Sequence, residues 1–94
     1  MVGSEAIAYN AHMNIILYTK TGCPWCEGVL ELLHEKKVSF EEREVLQNKT
    51  YFDELVAKSN QTKTPTLDID GYILADSDKE QVAEYLKEKG IAGF

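Results

Sequence analysis

The chain's only two cysteines, Cys23 and Cys26, stand three positions apart in Thr19-Lys20-Thr21-Gly22-Cys23-Pro24-Trp25-Cys26. This stretch lies where an apolar run gives way to a helical pattern, and a Cys-x-x-Cys at such a junction can carry dithiol–disulfide exchange. The attacking species is the thiolate, which needs a lowered pKa to be populated near neutral pH. A helix start favours it through unpaired N–H groups and the positive end of the macrodipole. Pro24 fits the first helical position, because its fixed φ is already helical and its missing N–H would have had no partner there. Cys23 then caps the helix and faces the free amides. Cys26, one turn in, is within reach of a mixed disulfide on Cys23 but in a less electropositive setting. The spacing thus makes Cys23 the nucleophile and Cys26 the resolving thiol. Lys20 either adds positive charge near the sulfur or an anionic substrate, or is a solvated lysine at a strand end.

Other uses of two cysteines fit less well. A zinc site takes about four ligands, and the only histidines are His12 and His34. His34 lies roughly 12 Å along the same helix from Cys26 at 1.5 Å per residue, too far for one metal. No metal site is therefore expected, and His34 reads as a surface helix residue. Two inert buried cysteines do not suit a Pro-Trp spacer that exposes the first of them. A structural disulfide closing so small a loop would restrain the unfolded chain little.

Ninety-four residues, 44% apolar and 28% charged, set the size of one ordinary globular domain with its own core. The net charge of −6, with no basic block, argues against binding to a phosphate backbone. No apolar run approaches the ~18–20 residues that span a bilayer. Met1 to His12 lacks the basic start and continuous apolar stretch of a signal peptide, so a cytoplasmic location is expected, where Cys-x-x-Cys is more often catalytic or metal-binding than structural. Those twelve residues show no period and read as a flexible extension or an expression remnant before a single domain over residues 13–94.

The elements that must position the cysteines follow in order. Asn14 to Thr19 reads as a central strand covered on both faces. Pro24 to about Lys37 reads as a helix, with Val29, Leu30, Leu32 and Leu33 inward. Val38 to Val45 reads as a second strand near an edge, since Glu41, Glu42, Arg43 and Glu44 are consecutive charges. A second helix is expected from a capping box of Thr50 and Asp53 to about Ser59-Asn60. Leu67 to Ile69 and Tyr72 to Leu74 form a hairpin across Asp70-Gly71. A last helix runs from about Asp78, capped with Gln81, to Lys89, with Gly90 and Ile91 as its stop. The order βαβαββα predicts an α/β domain.

Strand, Tyr18-Thr19-Lys20-x-x-Cys23-Pro24-Trp25-Cys26, a Thr64-Pro65 turn, an Asp70-Gly71 hairpin and a capped last helix together resemble the glutaredoxin family, from about Met13 to Ile91. The resemblance implies a thioredoxin fold, with a four-stranded mixed sheet flanked by three helices. It implies that Pro65 is cis and close to the sulfurs, leaving the Thr64 backbone to pair with a bound peptide or glutathione. It matches Lys20 and Gln61 to contacts with glutathione's glycyl end. Asp78 matches the helix start whose amides hold the γ-glutamyl carboxylate, and Trp25 the aromatic beside the nucleophile.

Two departures bear on that carry-over. Ala75-Asp76 stands where many glutaredoxins have Gly-Gly, placing a carboxylate against an incoming carboxylate, and Gln61 stands where a cation is common. The expected activity is dithiol reduction of protein disulfides or glutathione mixed disulfides by a monomer, with glutathione as co-substrate and no tightly bound cofactor. Two alternatives remain open: a glutaredoxin-like carrier recharged by thioredoxin reductase, and an iron–sulfur cluster shared through glutathione in a dimer.

Overall fold

Ile15, Ile16, Leu17, Tyr18 and Thr19 are all buried, which only a strand with neighbours on both edges and layers on both faces can achieve. The computed structural model describes residues 14–90. Within it, β1 (Ile15–Thr19) is followed by α1 (Pro24–Glu35), β2 (Glu41–Glu44), α2 (Lys49–Ser59), β3 (Thr66–Ile69), β4 (Tyr72–Leu74) and α3 (Lys79–Glu88). The sheet order is β2-β1-β3-β4. β1 runs parallel to β2 and antiparallel to β3, and β3 and β4 are antiparallel. This is the mixed four-stranded sheet and three-helix arrangement expected of a thioredoxin fold.

Alternate residues of a strand face opposite sides, and the core divides accordingly. Ile15 and Leu17 join Leu67 and Ile69 against Val29 and Leu33 of α1 and Val82 and Leu86 of α3. Ile16 and Tyr18 face the other way, with Val45, against Leu55 of α2. The sulfurs sit at the end of β1, where the first of these layers begins.

The same alternation explains the charged strand. β2 is an edge, as its composition implied, but its charges are not idle. Glu41 and Arg43 point toward α2, where Arg43 bonds Glu54 at 2.6 Å and Glu41 at 2.8 Å. Glu54 in turn accepts from the buried Tyr18 hydroxyl, which also accepts from Lys58 at 2.8 Å. Glu42 and Glu44 point toward the cysteine side.

The boundaries differ from the sequence-based expectation in three places. α1 stops at Glu35, because Val38 N–H turns back to the Leu33 carbonyl at 2.9 Å. That same bond keeps Val38 out of the ladder, so β2 starts only at Glu41. The cap of α2 is Asn48, whose side-chain oxygen accepts from Tyr51 N–H at 3.2 Å. Thr50 is already inside that helix, and Asp53 pairs with Lys49 instead. Other expected features are present: Asn60 ends α2 in the left-handed region, and Asp70 and Gly71 both take positive φ in the hairpin. Asp78 and Gln81 form a reciprocal capping box. Residues 1–13, with the proposed extension, and Ile91, with its contact beyond Gly90, lie outside the described residues. Among the described residues no helix is long and apolar enough to cross a membrane.

The corrected cap has a measurable signature. Asn48→Ala should cost about 1 kcal/mol of unfolding free energy, whereas Thr50→Ala should be nearly neutral; urea denaturation of both variants checks the assignment.

Candidate active site

Gly22 makes the approach to the first sulfur. Its φ of +85° is open to glycine and strained for other residues, although a Cβ there would meet nothing within 4 Å. Backbone conformation, not space, therefore calls for glycine. The turn closes with Cys23 N–H on the Lys20 carbonyl at 3.2 Å. It is held from outside by Glu44, which accepts from Thr21 N–H at 2.6 Å and from the Thr21 hydroxyl at 2.9 Å. The other oxygen of Glu44 accepts from Gln47 N–H at 2.8 Å, and Glu42 accepts from the Thr19 hydroxyl at 2.8 Å. Neither glutamate stood out in the sequence, where a run of four charges reads as a wet edge; period-two alternation beside a reactive loop was the available signal.

Cys23 occupies the N-cap of α1 and its sulfur does what a cap oxygen does. Cys26 N–H donates to Cys23 Sγ at 3.2 Å. The Thr64 hydroxyl donates to the same sulfur at 3.7 Å, and the thiol itself reaches the Thr64 carbonyl at 3.8 Å. Burial pushes the Cys23 thiol up. Hydrogen bonds from the Cys26 thiol and amide, the Thr64 hydroxyl and the Trp25 amide outweigh it, so Cys23 lies below its ordinary value. On losing its proton it gives up only the weak contact to the Thr64 carbonyl and keeps its donors. Cys26 is fully buried, and burial together with the Cys23 sulfur pushes it up to about 11. The two sulfurs are thus separated into a more acidic and a less acidic thiol, both free in this structure.

The Thr64–Pro65 bond is cis. The Pro65 carbonyl accepts from Ser77 N–H at 2.9 Å and from the Ser77 hydroxyl at 3.2 Å, tying this loop to the start of α3. Ser77 is buried and was not singled out in the sequence. Lys20 shares a cleft with both cysteines, Glu42 and Glu44. Trp25, 68% exposed, and Asp78 line a second hollow on the other side of Pro24.

Gln61 is engaged within the chain on both ends of its side chain. Its amide donates to Ser59 Oγ at 2.8 Å and Thr66 Oγ1 at 3.1 Å, and its carbonyl accepts from Lys63 N–H at 2.6 Å. It braces the loop before Pro65. The turn into α3 is equally self-contained: Asp76 N–H donates to Thr66 Oγ1, Ser77 N–H to the Pro65 carbonyl and Asp78 N–H to Gln81 Oε1. Asp76 itself has φ of +50°, a conformation that a glycine takes without strain. Among the described residues no group of three or more His, Cys, Asp or Glu is placed to hold a metal ion.

The pKa order has a direct readout. Thiolate absorbance near 240 nm should rise in two steps, one below the ordinary cysteine range and one near pH 11, and alkylation of Cys23 should speed up through the first. Cys23→Ser should remove the lower step; one transition for both thiols in the ordinary range would contradict the separation.

The Glutaredoxin family model matches residues 15–74, from the first residue of β1 to the last of β4. Glutaredoxin 3 of Escherichia coli strain K12 is 34% identical over 65 residues, covering 69% of this chain and 78% of that protein. The crystal structure of the thioredoxin-like protein BC3987 superimposes with a TM-score of 0.70 at 30% identity, covering 78% of this chain and 99% of that one. The glutaredoxin grx-1 from Archaeoglobus fulgidus shares the fold at a TM-score of 0.67 and 18% identity, over 82% of this chain and 89% of that chain. A family match that spans the whole sheet and the Cys23–Cys26 pair, together with a relative at 34% identity, means that this chain belongs to the glutaredoxin family.

Proposed function

We propose that this chain is a dithiol–disulfide oxidoreductase that reduces protein disulfides or glutathione mixed disulfides in the cytoplasm. The observation that carries the reading is the unequal pair: a lowered Cys23 capped by the Cys26 amide, and a buried Cys26 raised to about 11. Family membership supports the same class of chemistry. In the first step Cys23 thiolate attacks one sulfur of the substrate disulfide, and the other sulfur leaves as a thiolate and takes up a proton. Cys26 then loses its proton and attacks Cys23 Sγ, which releases the second substrate thiol and leaves the Cys23–Cys26 disulfide. Two electrons pass from the dithiol to the substrate. Two molecules of glutathione restore the dithiol in this reading, with Lys20, Trp25, Gln61, Thr64, Pro65 and Asp78 around the bound tripeptide.

A second reductant is favoured by one observation. The amides of Asp76, Ser77 and Asp78 already have acceptors within the chain, and the Asp78 carboxylate already takes the Gln81 amide. That leaves the Lys79 and Glu80 amides at the start of α3 for a γ-glutamyl carboxylate, while the Asp76 side chain repels it. In this second reading the disulfide is reduced by thioredoxin reductase, which needs no glutathione site.

Steady-state disulfide reduction with glutathione plus glutathione reductase, run in parallel with thioredoxin reductase, separates the two. Cys23→Ser should lower turnover at least about a hundredfold with either reductant. Cys26→Ser should keep activity on glutathionylated substrate, where external glutathione resolves the adduct; equal loss in both variants would contradict the one-thiol route. Asp76→Gly relieves both repulsion and the positive φ, and should lower the KM for glutathione about threefold. An unchanged KM would remove Asp76 from the glutathione contact.

A further inference from the structure

A groove runs from the active site along the seam between α1 and α3. Its first hollow, about 330 Å³, lies against Pro24, Trp25, Gly28 and Asp78, and it continues into a second of about 200 Å³ over Leu32 and Ala83. Gly28 stands inside α1, where glycine weakens a helix relative to alanine. A Cβ there would make only an ordinary contact, 3.9 Å to Lys79 Cδ. Packing therefore does not call for glycine; its effect is to leave the floor of the groove open. In these two hollows the walls carry four carboxylates, Glu31, Glu35, Asp78 and Glu80, against the ammonium of Lys79, and beyond Leu32 and Ala83 the groove opens onto a wider hollow where Lys36 and Lys87 mark its end. An apolar floor with acidic walls complements a segment that is both apolar and basic. A second copy of this chain, at −6, does not supply one.

We infer that this groove seats the polypeptide flanking the target disulfide and selects for basic and apolar residues beside the reacting cysteine. The inference rests on the dithiol reading above and names its substrate class. From Trp25 to Glu35 the helix rises roughly 15 Å at 1.5 Å per residue. An extended chain covers that length in about five residues at ~3.3 Å each. The residues nearest the cysteine pass over Trp25, whose exposed ring offers a face to arginine or lysine. Those further along meet Leu32 and Ala83 between the carboxylates.

The test uses the pre-reduced full chain and stopped-flow reduction of symmetric disulfide-linked peptide dimers, so no external reductant enters. The dimers share length and differ in the five flanking residues: arginine with leucine, glutamate with leucine, or arginine with serine. The arginine–leucine dimer should react about tenfold faster than the glutamate–leucine dimer at low salt, with the gap closing near ~0.5 M salt. The arginine–serine dimer should fall between them. Glu31→Lys should collapse the preference, while Asp53→Lys, an equal change of charge on α2, should leave it nearly intact. Gly28→Leu should slow the leucine dimers most. Equal rates for all dimers, or equal effects of the two lysine variants, would overturn the groove while leaving the dithiol reading standing. Failure of the wild-type chain to reduce even bis(2-hydroxyethyl) disulfide would overturn the dithiol reading and the groove with it.

Discussion

A sulfur serves as the cap of a helix, and the arrangement of the site follows from that one hydrogen bond. At 3.2 Å the Cys26 amide satisfies a backbone donor that would otherwise have no partner and at the same time stabilises negative charge on Cys23. The helix gains an end and Cys23 gains part of its acidity from the same contact. Pro24 makes this possible by occupying the next position without offering a competing N–H. Burial of Cys26 beneath the first turn is then unavoidable, and with burial comes the high pKa of its thiol. The asymmetry of the pair is a property of helix geometry before it is a property of any particular neighbour.

The supports around that bond come from three directions. Glu44 holds the loop before Cys23, Thr64 faces the sulfur from the cis-proline turn, and the Pro65 carbonyl fastens that turn to α3 through Ser77. β1 carries the loop at its end and is buried along its whole length, which leaves it little freedom to shift register. A thiol at a loop-to-helix junction is thereby given the rigidity of the sheet.

Much of this was legible in the sequence because it rests on local rules. The cap, Pro24, the Asp70-Gly71 hairpin and the Asp78–Gln81 box each involve residues within four positions of one another. The mixed four-stranded sheet came with the family resemblance, whereas its order, β2-β1-β3-β4, came from the structure. What the chain order concealed was long-range. Glu42 and Glu44 meet the active-site loop more than twenty residues away in sequence, and Ser77 meets Pro65 across a hairpin. Gln61 matches a ligand contact by the family resemblance, and the chain order hid that its side chain also braces the loop before Pro65. Asn48 outcompeted Thr50 as a cap because its oxygen reaches the third amide of the helix, a choice of two residues that spacing alone does not decide.

One hydroxyl joins features that would otherwise be separate. Thr66 Oγ1 accepts from Gln61 and from the Asp76 amide while it donates to the Lys63 carbonyl at 2.8 Å. Residues 61 and 76 sit on opposite flanks of the cis-proline turn, yet they share this oxygen. Replacing Gln61 with a cation removes the carbonyl that accepts from Lys63 N–H and reshapes the donor set at Thr66 Oγ1, which also holds the Asp76 amide, and changes at 76 reach Gln61 through the same oxygen. The two positions therefore form an epistatic pair: their effects on stability and on ligand affinity do not add.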